Sequence, residues 1–135
     1  MIAEKIVVSG KRKTSIAKAG IKEGTGKITI NKRLISSFPM LKQLELQEPL
    51  VIAEQVLGKL NFDIEVNVKS GGGASRIEAS RLAMARAIMA FTKNADLKRA
   101  YLEYDRHLLV ADVRRKEAYK PDDSKARAKR QTSYR

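Results

Sequence analysis

The last 22 residues of this chain, 114–135, contain no leucine, isoleucine, valine, methionine or phenylalanine. A segment without large apolar side chains cannot bury enough surface to offset the conformational entropy lost on ordering. The folded core must therefore come from earlier residues. Fully extended, the segment would span roughly 70 Å, more than the width of a small domain. We expect a globular domain over 1–112 and an extended basic tail over 113–135.

Positive charge is concentrated at the two ends of the chain and cancels in its middle. Residues 1–33 carry a net charge of +7 and residues 114–135 a net charge of +6, whereas residues 34–113 carry ten charges of each sign. The commonest partner of such positive surfaces is a polyphosphate backbone, which releases condensed counterions when lysine and arginine bind it. The charge pattern therefore predicts a nucleic-acid-binding protein.

What the chain lacks excludes several classes of protein. It has no cysteine, so disulfides and thiolate metal sites are excluded, and its single histidine, His107, cannot form a multi-histidine site. No stretch approaches the ~18–20 apolar residues of a membrane span, and the N-terminus has no apolar signal core. We find no nucleophile paired with a base and assign His107 no chemistry. The sequence favours a cytoplasmic, non-catalytic protein without metal or cofactor.

Three short β-rich stretches are predicted in the first 31 residues, at 6–8, 16–21 and 27–31. Turn residues separate them, so a meander is the economical arrangement. The clearest strand covers 62–69, where every second residue from Phe62 to Val68 is apolar. One face of that strand is then buried. Asp63 and Glu65 lie on the wet face, where they are most simply solubilising.

Helices are predicted both before and after that strand in the sequence. Pro49 suits the first turn of a helix that ends at Leu57, with Gly58 as its stop. A shorter helix is predicted over about 94–104.

The strongest helical pattern covers roughly 75–92. Ser75 and Glu78 have the spacing of a capping box at its start. The apolar stripe of this helix consists of Ile77, Met84, Ile88 and Phe91. Arg81 falls on the same stripe, and its simplest role is a snorkelling side chain. Arg76 and Arg86 are expected to be exposed.

The densest basic cluster near the N-terminus is Lys11, Arg12 and Lys13, and Lys18, Lys22 and Lys27 are expected nearby. Phosphate contact needs such charge-assisted donors. The alternative is an edge strand that lysines keep soluble.

The run Gly71-Gly72-Gly73 precedes the strongest helix, where backbone N–H groups can bind an anion. The alternative is a flexible joint between strand and helix. No Gly-Lys-Ser/Thr ending completes a nucleotide site.

Tyr119 and Tyr134 are interleaved with the basic residues of the tail and can stack on bases or sugars. A purely electrostatic leash is the alternative. The sharper hypothesis is that the terminus, which ends at Arg135, makes a specific contact.

Several stretches of the chain carry a resemblance to a known family. They are Ser9-Gly10-Lys11-Arg12-Lys13-Thr14-Ser15-Ile16-Ala17, Gly26-Lys27-Ile28-Thr29-Ile30-Asn31, Gly71-Gly72-Gly73 with Ala79-Ser80-Arg81 and Ala85-Arg86-Ala87-Ile88, the run from Leu109 to Glu117 followed by Ala126-Arg127-Ala128-Lys129, and Ser133-Tyr134-Arg135. In these motifs the chain resembles small-subunit ribosomal protein S-nine, in its archaeal/eukaryotic form.

The chain also departs from that family at three places. Ser75-Arg76 replaces the usual Gly-Gln after the glycine loop, and Asp112-Val113 replaces Asp-Pro. Pro121-Asp122-Asp123-Ser124 replaces the glycine-rich part of the tail and adds two negative charges.

The resemblance implies an α+β fold, a two-layer α/β sandwich of the ribosomal-protein second-domain type. Its four-stranded sheet would have helices on one face and a left-handed βαβ crossover, which the general right-handed rule would not have predicted. The resemblance also implies a structural constituent of the small ribosomal subunit. The protein would bind small-subunit rRNA in the head, beside neighbouring ribosomal proteins, and extend its tail toward the anticodon stem-loop of the peptidyl-site tRNA.

On this interpretation, the rRNA-binding residues are Lys11, Arg12, Lys13, Gly71, Gly72, Arg76, Arg81, Arg114, Arg115, Lys116, Lys125 and Arg127. The residues expected to contact tRNA are Lys129, Arg130, Ser133, Tyr134 and Arg135.

Two other functions compete with this one. A DNA-compacting architectural protein would also be basic. A small-molecule kinase of the galactokinase type shares the general fold and has a glycine-rich loop before a helix, but the chain lacks that family's serine-rich loop and a convincing catalytic acid.

Overall fold

The computed structural model describes residues 4–119. In chain order, its elements are β1 (Ile6–Arg12), β2 (Ser15–Glu23), β3 (Ile28–Ile30), β4 (Arg33–Leu34), α1 (Met40–Leu57), β5 (Phe62–Lys69), α2 (Gly73–Thr92) and α3 (Ala95–Tyr104). Single 3₁₀ turns follow β4 and α3, at Ile35–Ser37 and Arg106–Leu108. This is a mixed α+β fold, as expected.

The five strands form one sheet in the order β1-β2-β5-β3-β4. β2 pairs antiparallel with β1 on one side and with β5 on the other. The predicted meander is therefore wrong, because β5 lies between β2 and β3. In a meander, β5 would lie at the edge of the sheet, with its wholly apolar inner face at that edge. Its position between β2 and β3 instead gives it a hydrogen-bonded neighbour on each side.

The fifth strand, β4, is the reason that the sheet exceeds the four strands implied by the resemblance. After Ile30 the chain reverses through Asn31 and Lys32, whose φ angles are +50° and +64°. Two consecutive positive φ angles give the twist of a tight hairpin, so Arg33 pairs back onto β3. The Asn31 side chain also extends the ladder: its Oδ1 accepts a hydrogen bond from the Val68 N–H at 2.8 Å.

Every second residue of β2 and β5 faces the helices. Ala17, Ala19 and Ile21 of β2 are fully buried, and so are Ile64 and Val66 of β5 to within 1%. The intervening residues are exposed except Gly20, which is buried, and Asp63, which is half-buried, so the helices cover one face of the sheet and leave the other largely open. The predicted alternation over 62–69 is confirmed.

The close approach of α2 to β1 depends on Gly10. A Cβ at this position would lie 2.7 Å from the Ala79 carbonyl oxygen and 2.7 Å from the Ala83 nitrogen. Both atoms are helix backbone, which cannot rotate out of the way. Glycine on the strand and alanines on the helix therefore let the two backbones pack together.

One predicted helix start and one predicted helix cap are wrong. Pro49 is buried inside the continuous helix α1, whose N-cap is Pro39. The core contact of the proline ring offsets the missing backbone donor, and the Pro49 carbonyl accepts a hydrogen bond from the buried Tyr101 hydroxyl at 2.8 Å. The predicted capping box of Ser75 and Glu78 is absent, because the N-cap of α2 is Gly72, which has no side chain, and Ser75 lies within the helix; Glu78 pairs with Arg12. Among residues 4–119, no helix combines the length and apolar character needed to cross a bilayer.

Asp63 has a structural role beyond solubility. Its Oδ1 accepts hydrogen bonds from the backbone N–H groups of Thr25, Gly26 and Lys27, at 2.9–3.1 Å. These donors, the Lys27 N–H first among them, hold the pKa of the Asp63 carboxyl below its usual range. The half-buried carboxylate thus fixes the loop between β2 and β3.

Candidate nucleic-acid interface

The structure brings the two predicted basic segments together. A groove of about 640 Å³ runs between the β1–β2 turn and the start of the tail. Its lining consists of Arg12, Lys13, Thr14, Arg114, Arg115 and Lys116. Five of these six residues are basic, although about 100 residues separate the two halves in sequence. We call this surface the basic groove.

Two of the five basic residues of the groove are already neutralised by carboxylates. Arg12 Nε donates to Glu78 Oε2 at 2.5 Å, and an Arg12 terminal nitrogen lies 3.6 Å from Asp112 Oδ2. The Arg12 side chain is 14% exposed. Arg114 donates to both carboxylate oxygens of Asp112, at distances of 2.7–3.1 Å. These arginines therefore shape the groove more than they present charge to a ligand.

Arg12 and Arg86 hold the start of the tail against the domain. Arg86, which the sequence predicts to be exposed, is half-buried and donates to the carbonyl oxygens of Leu109 at 2.9 Å and Ser9 at 3.1 Å. Asp112 forms ion pairs with both Arg12 and Arg114. Hydrogen bonds from Arg114 lower the pKa of the Asp112 carboxyl. The direction in which the chain leaves the domain is thereby fixed at 109–112.

The other cations of the groove are not held by the carboxylates that hold Arg12 and Arg114. Within residues 4–119, Glu78 and Asp112 form their ion pairs with Arg12 and Arg114, and not with Lys13, Arg115 or Lys116. Lys13 lies at the tip of the β1–β2 turn, because Arg12 and Ser15 are the last paired residues, and its φ is +53°. Lys116 Nζ donates to the Tyr119 hydroxyl at 2.6 Å and lies 4.5 Å from that ring's centroid. An exposed aromatic ring that can stack on a base therefore lies beside the charge.

The open face of the sheet continues the positive surface. Lys11 of β1 and Lys69 of β5 both pair across strands with Ile16 of β2, which lies between them, and Lys18 is exposed one row further along. Lys69 was not among the predicted site residues, although its position on the solvent-exposed face of β5 could have indicated it. These lysines lie outside the acid-rich end of the sheet.

Lys22 and Lys27 do not belong to this surface, contrary to expectation. Lys22 pairs with Asp63 across the strands and lies roughly 20 Å from the β1–β2 turn along β2. Lys27 lines a separate cavity of about 360 Å³ at the same end of the sheet, next to Asp63 and Glu65. Their charges meet acids, so they add little to an anion site.

The glycine loop lies at the same end of the domain as the β1–β2 turn. Ser15 Oγ donates to the Ser70 carbonyl at 3.0 Å, and Arg76 Nε donates to the same oxygen at 3.1 Å. Gly71 has φ +76°, and a Cβ there would collide with Ser15 Oγ. Gly72, by contrast, faces open space as the N-cap of α2, whose first N–H groups have no side-chain cap. The loop is held in place, which favours a positioned site over a flexible joint.

Arg81 serves the interior of the helical layer. It forms ion pairs with Glu48 of α1 and, at 3.4 Å, with Asp105 after α3, and its side chain is 16% exposed. Its charge is shared between two carboxylates, which favours a packing role over contact with a polyanion.

The remaining predicted contacts lie outside the described residues. They are Lys125, Arg127, Lys129, Arg130, Ser133, Tyr134 and Arg135. Among residues 4–119, no group of three or more histidine, aspartate or glutamate side chains is arranged to hold a metal ion.

Comparison with known proteins identifies the family. Residues 10–135 match the family described as Ribosomal protein S9/S16. The chain is 47% identical over 129 residues to the small ribosomal subunit protein uS9 of Methanococcus maripaludis, covering 93% of this chain and 95% of that protein. It is 46% identical over 129 residues to the small ribosomal subunit protein uS9 of Methanococcus vannielii, with the same coverage. The resemblance in the motifs is thus confirmed, and this chain belongs to the ribosomal protein S9/S16 family.

Proposed function

We propose that this protein is a structural, non-enzymatic constituent of the small ribosomal subunit that binds small-subunit rRNA through its basic groove. Membership of a ribosomal protein family supports the role as a structural constituent of the subunit and argues against the kinase alternative. The observation that carries the second part is the convergence of two distant basic segments on one groove. As part of the ribosome, the protein acts in translation.

Phosphate contacts would supply most of the affinity. Lys13, Arg115 and Lys116 would offer charge that Glu78 and Asp112 do not neutralise, and Lys11 extends it onto the open sheet face. The uncapped start of α2 at Gly72 offers backbone donors to one further phosphate. Arg12, Arg81 and Arg114 would act mainly by holding these elements in place.

The tail would continue the rRNA contact through Lys125 and Arg127 and reach the peptidyl-site tRNA with its last residues. We propose the division into a globular domain over 1–112 and a tail over 113–135. Lys129, Arg130 and Arg135 would contact phosphates of the anticodon stem-loop, together with Ser133 and Tyr134. The protein would lie in the head of the subunit. The connection from β3 through α1 to the parallel strand β5 would be the left-handed crossover of the family.

The salt dependence of rRNA binding tests the phosphate mechanism. The logarithm of the association constant should fall linearly with the logarithm of salt concentration, by about 0.7 to 0.9 for each phosphate contact. Filter binding with a small-subunit rRNA transcript between low and moderate salt measures the slope, and duplex DNA serves as competitor. A flat salt dependence would refute the mechanism, and equal competition by duplex DNA would favour the DNA-compacting alternative.

Deletion of residues 129–135 tests the tRNA contact separately. We expect subunits that carry the shortened chain to assemble normally, because the domain and the basic groove are intact. They should retain peptidyl-site tRNA less well, which tRNA dissociation from purified subunits measures. Unchanged tRNA retention would mean that the tail only anchors the protein to rRNA.

A further inference from the structure

The outer side of α1 exposes an apolar stripe that no other element of the described chain covers. Met40, Leu41, Leu44 and Val51 are 76%, 77%, 54% and 48% exposed, and Tyr104 of α3 beside them is 57% exposed. Single exposed apolar residues are ordinary on a protein surface, but a contiguous group typically marks a contact surface. We call this surface the α1 face.

A shallow groove of about 260 Å³ lies in the α1 face. Its lining consists of Leu44, Gln47, Glu48, Val51, Ile52, Gln55 and Tyr104. Its single carboxylate, Glu48, is bound by Arg81, and the negative charge of Glu48, together with its hydrogen bond, raises the pKa of the Tyr104 hydroxyl. The groove wall is therefore held in place before any partner binds, which lowers the entropy lost on binding.

The α1 face is unsuited to a polyanion. No lysine or arginine lines its groove. Along the whole of α1, three carboxylates, Glu45, Glu48 and Glu54, stand against one cation. That cation, Lys42, is half-buried and turned toward the start of α2, where its Nζ would lie 2.9 Å from a Cβ at Gly73. In a chain of net charge +13, the groove on this helix therefore offers no cation to a phosphate.

We propose that the α1 face docks a neighbouring protein of the small subunit, through a segment with large apolar side chains flanked by lysine or arginine. Proteins that share an rRNA scaffold must themselves carry positive charge, which complements the carboxylates of α1. A second copy of this chain is disfavoured, because a two-fold contact would bring the carboxylates of α1 toward those of the other copy, with no lysine or arginine in the groove to pair with them. The apolar groove supplies the affinity, and the carboxylates of α1 select the partner.

Site-specific photocrosslinking in assembled subunits tests this proposal. A photoreactive p-benzoylphenylalanine replaces Gln55, an exposed residue of the groove lining, in the chain that cells build into their subunits. Irradiation should give an adduct with one other protein that survives nuclease, and the crosslinked peptide should contain lysine or arginine beside an apolar residue. An adduct with rRNA, an adduct between two copies of this chain, or no protein adduct would overturn the proposal.

A parallel probe keeps this result separate from the rRNA interface. The same photoreactive residue at Lys13, in the basic groove, should give an adduct that nuclease removes. If the Lys13 probe fails while the Gln55 probe succeeds, the proposed rRNA contact is wrong and the α1 face stands. The reverse outcome rejects the α1 face alone.

Leu44→Glu in the Gln55 probe chain is the matched variant. We expect the protein adduct to fall at least about tenfold, because the change removes apolar burial and adds charge to the groove. Leu34→Glu is the control, since Leu34 is a similarly exposed leucine of β4, at 51% against 54% for Leu44. The thermal unfolding temperature of both variants should stay within about 2 °C of the parent. Equal adduct yields from the two variants would count against the α1 face.

Discussion

Simultaneous replacement of Lys13, Arg115 and Lys116 by alanine is expected to weaken binding of small-subunit rRNA by roughly 100- to 500-fold at about 0.1 M salt. Each lost phosphate contact removes about 0.7 to 0.9 from the log–log salt slope, which at this salt equals roughly a five- to eightfold loss of affinity. These three residues are the basic residues of the groove with which Glu78 and Asp112 form no ion pair. Filter binding at several salt concentrations measures both the affinity and a fall of about 2 to 3 in the slope.

Alanine at Lys59, Lys98 and Arg99 provides the control, because it lowers the net charge by the same three units, from +13 to +10. All three residues are exposed, and none lines the basic groove. Charges that lie more than a Debye length from the RNA are screened, so we expect a change below about threefold. If both triple variants lose affinity equally, rRNA binding depends on overall charge and the basic groove is not a site.

The secondary structure was most predictable where the local pattern was strong. The alternation of β5 and the apolar stripe of α2 each identify an element from fewer than twenty residues. The place of β5 inside the sheet was not predictable, because it depends on pairing with strands more than thirty residues away. The buried position of Pro49 within α1 likewise depends on a core that the rest of the chain provides.

The basic groove was predictable in its composition but not in the role of each residue. Local charge density identifies Lys11–Lys13 and 114–116 directly. Which arginines are neutralised depends on long-range contacts, such as the pairing of Arg12 with Glu78, 66 positions further along the chain. Sequence alone therefore does not distinguish Arg12 from Lys13. In the structure, Arg12 pairs with Glu78 and Asp112 and so holds the start of the tail, whereas Lys13 pairs with neither carboxylate.

Gly10→Ala is expected to destabilise the domain by about 2 to 3 kcal/mol, although it adds only one methyl group. The new Cβ would lie 2.7 Å from two backbone atoms of α2, at Ala79 and Ala83. Relief of that overlap requires the helix to move away from β1, which loosens the packing of the whole core. For a domain of this size, the melting temperature should fall by about 10 °C in a thermal unfolding experiment followed by circular dichroism.

The same displacement should disturb the start of the tail, which links this packing contact to function. Arg86 reaches from α2 to the Ser9 carbonyl, one residue before Gly10, so a shifted helix loses that hydrogen bond. Trypsin should then cleave faster after Arg114 and Arg115 at temperatures where the variant is still folded. Gly72→Ala is the control, because its Cβ enters open space at a negative φ, and its cost should stay below about 1 kcal/mol. Equal stability of the two variants would show that α2 does not depend on glycine to approach β1.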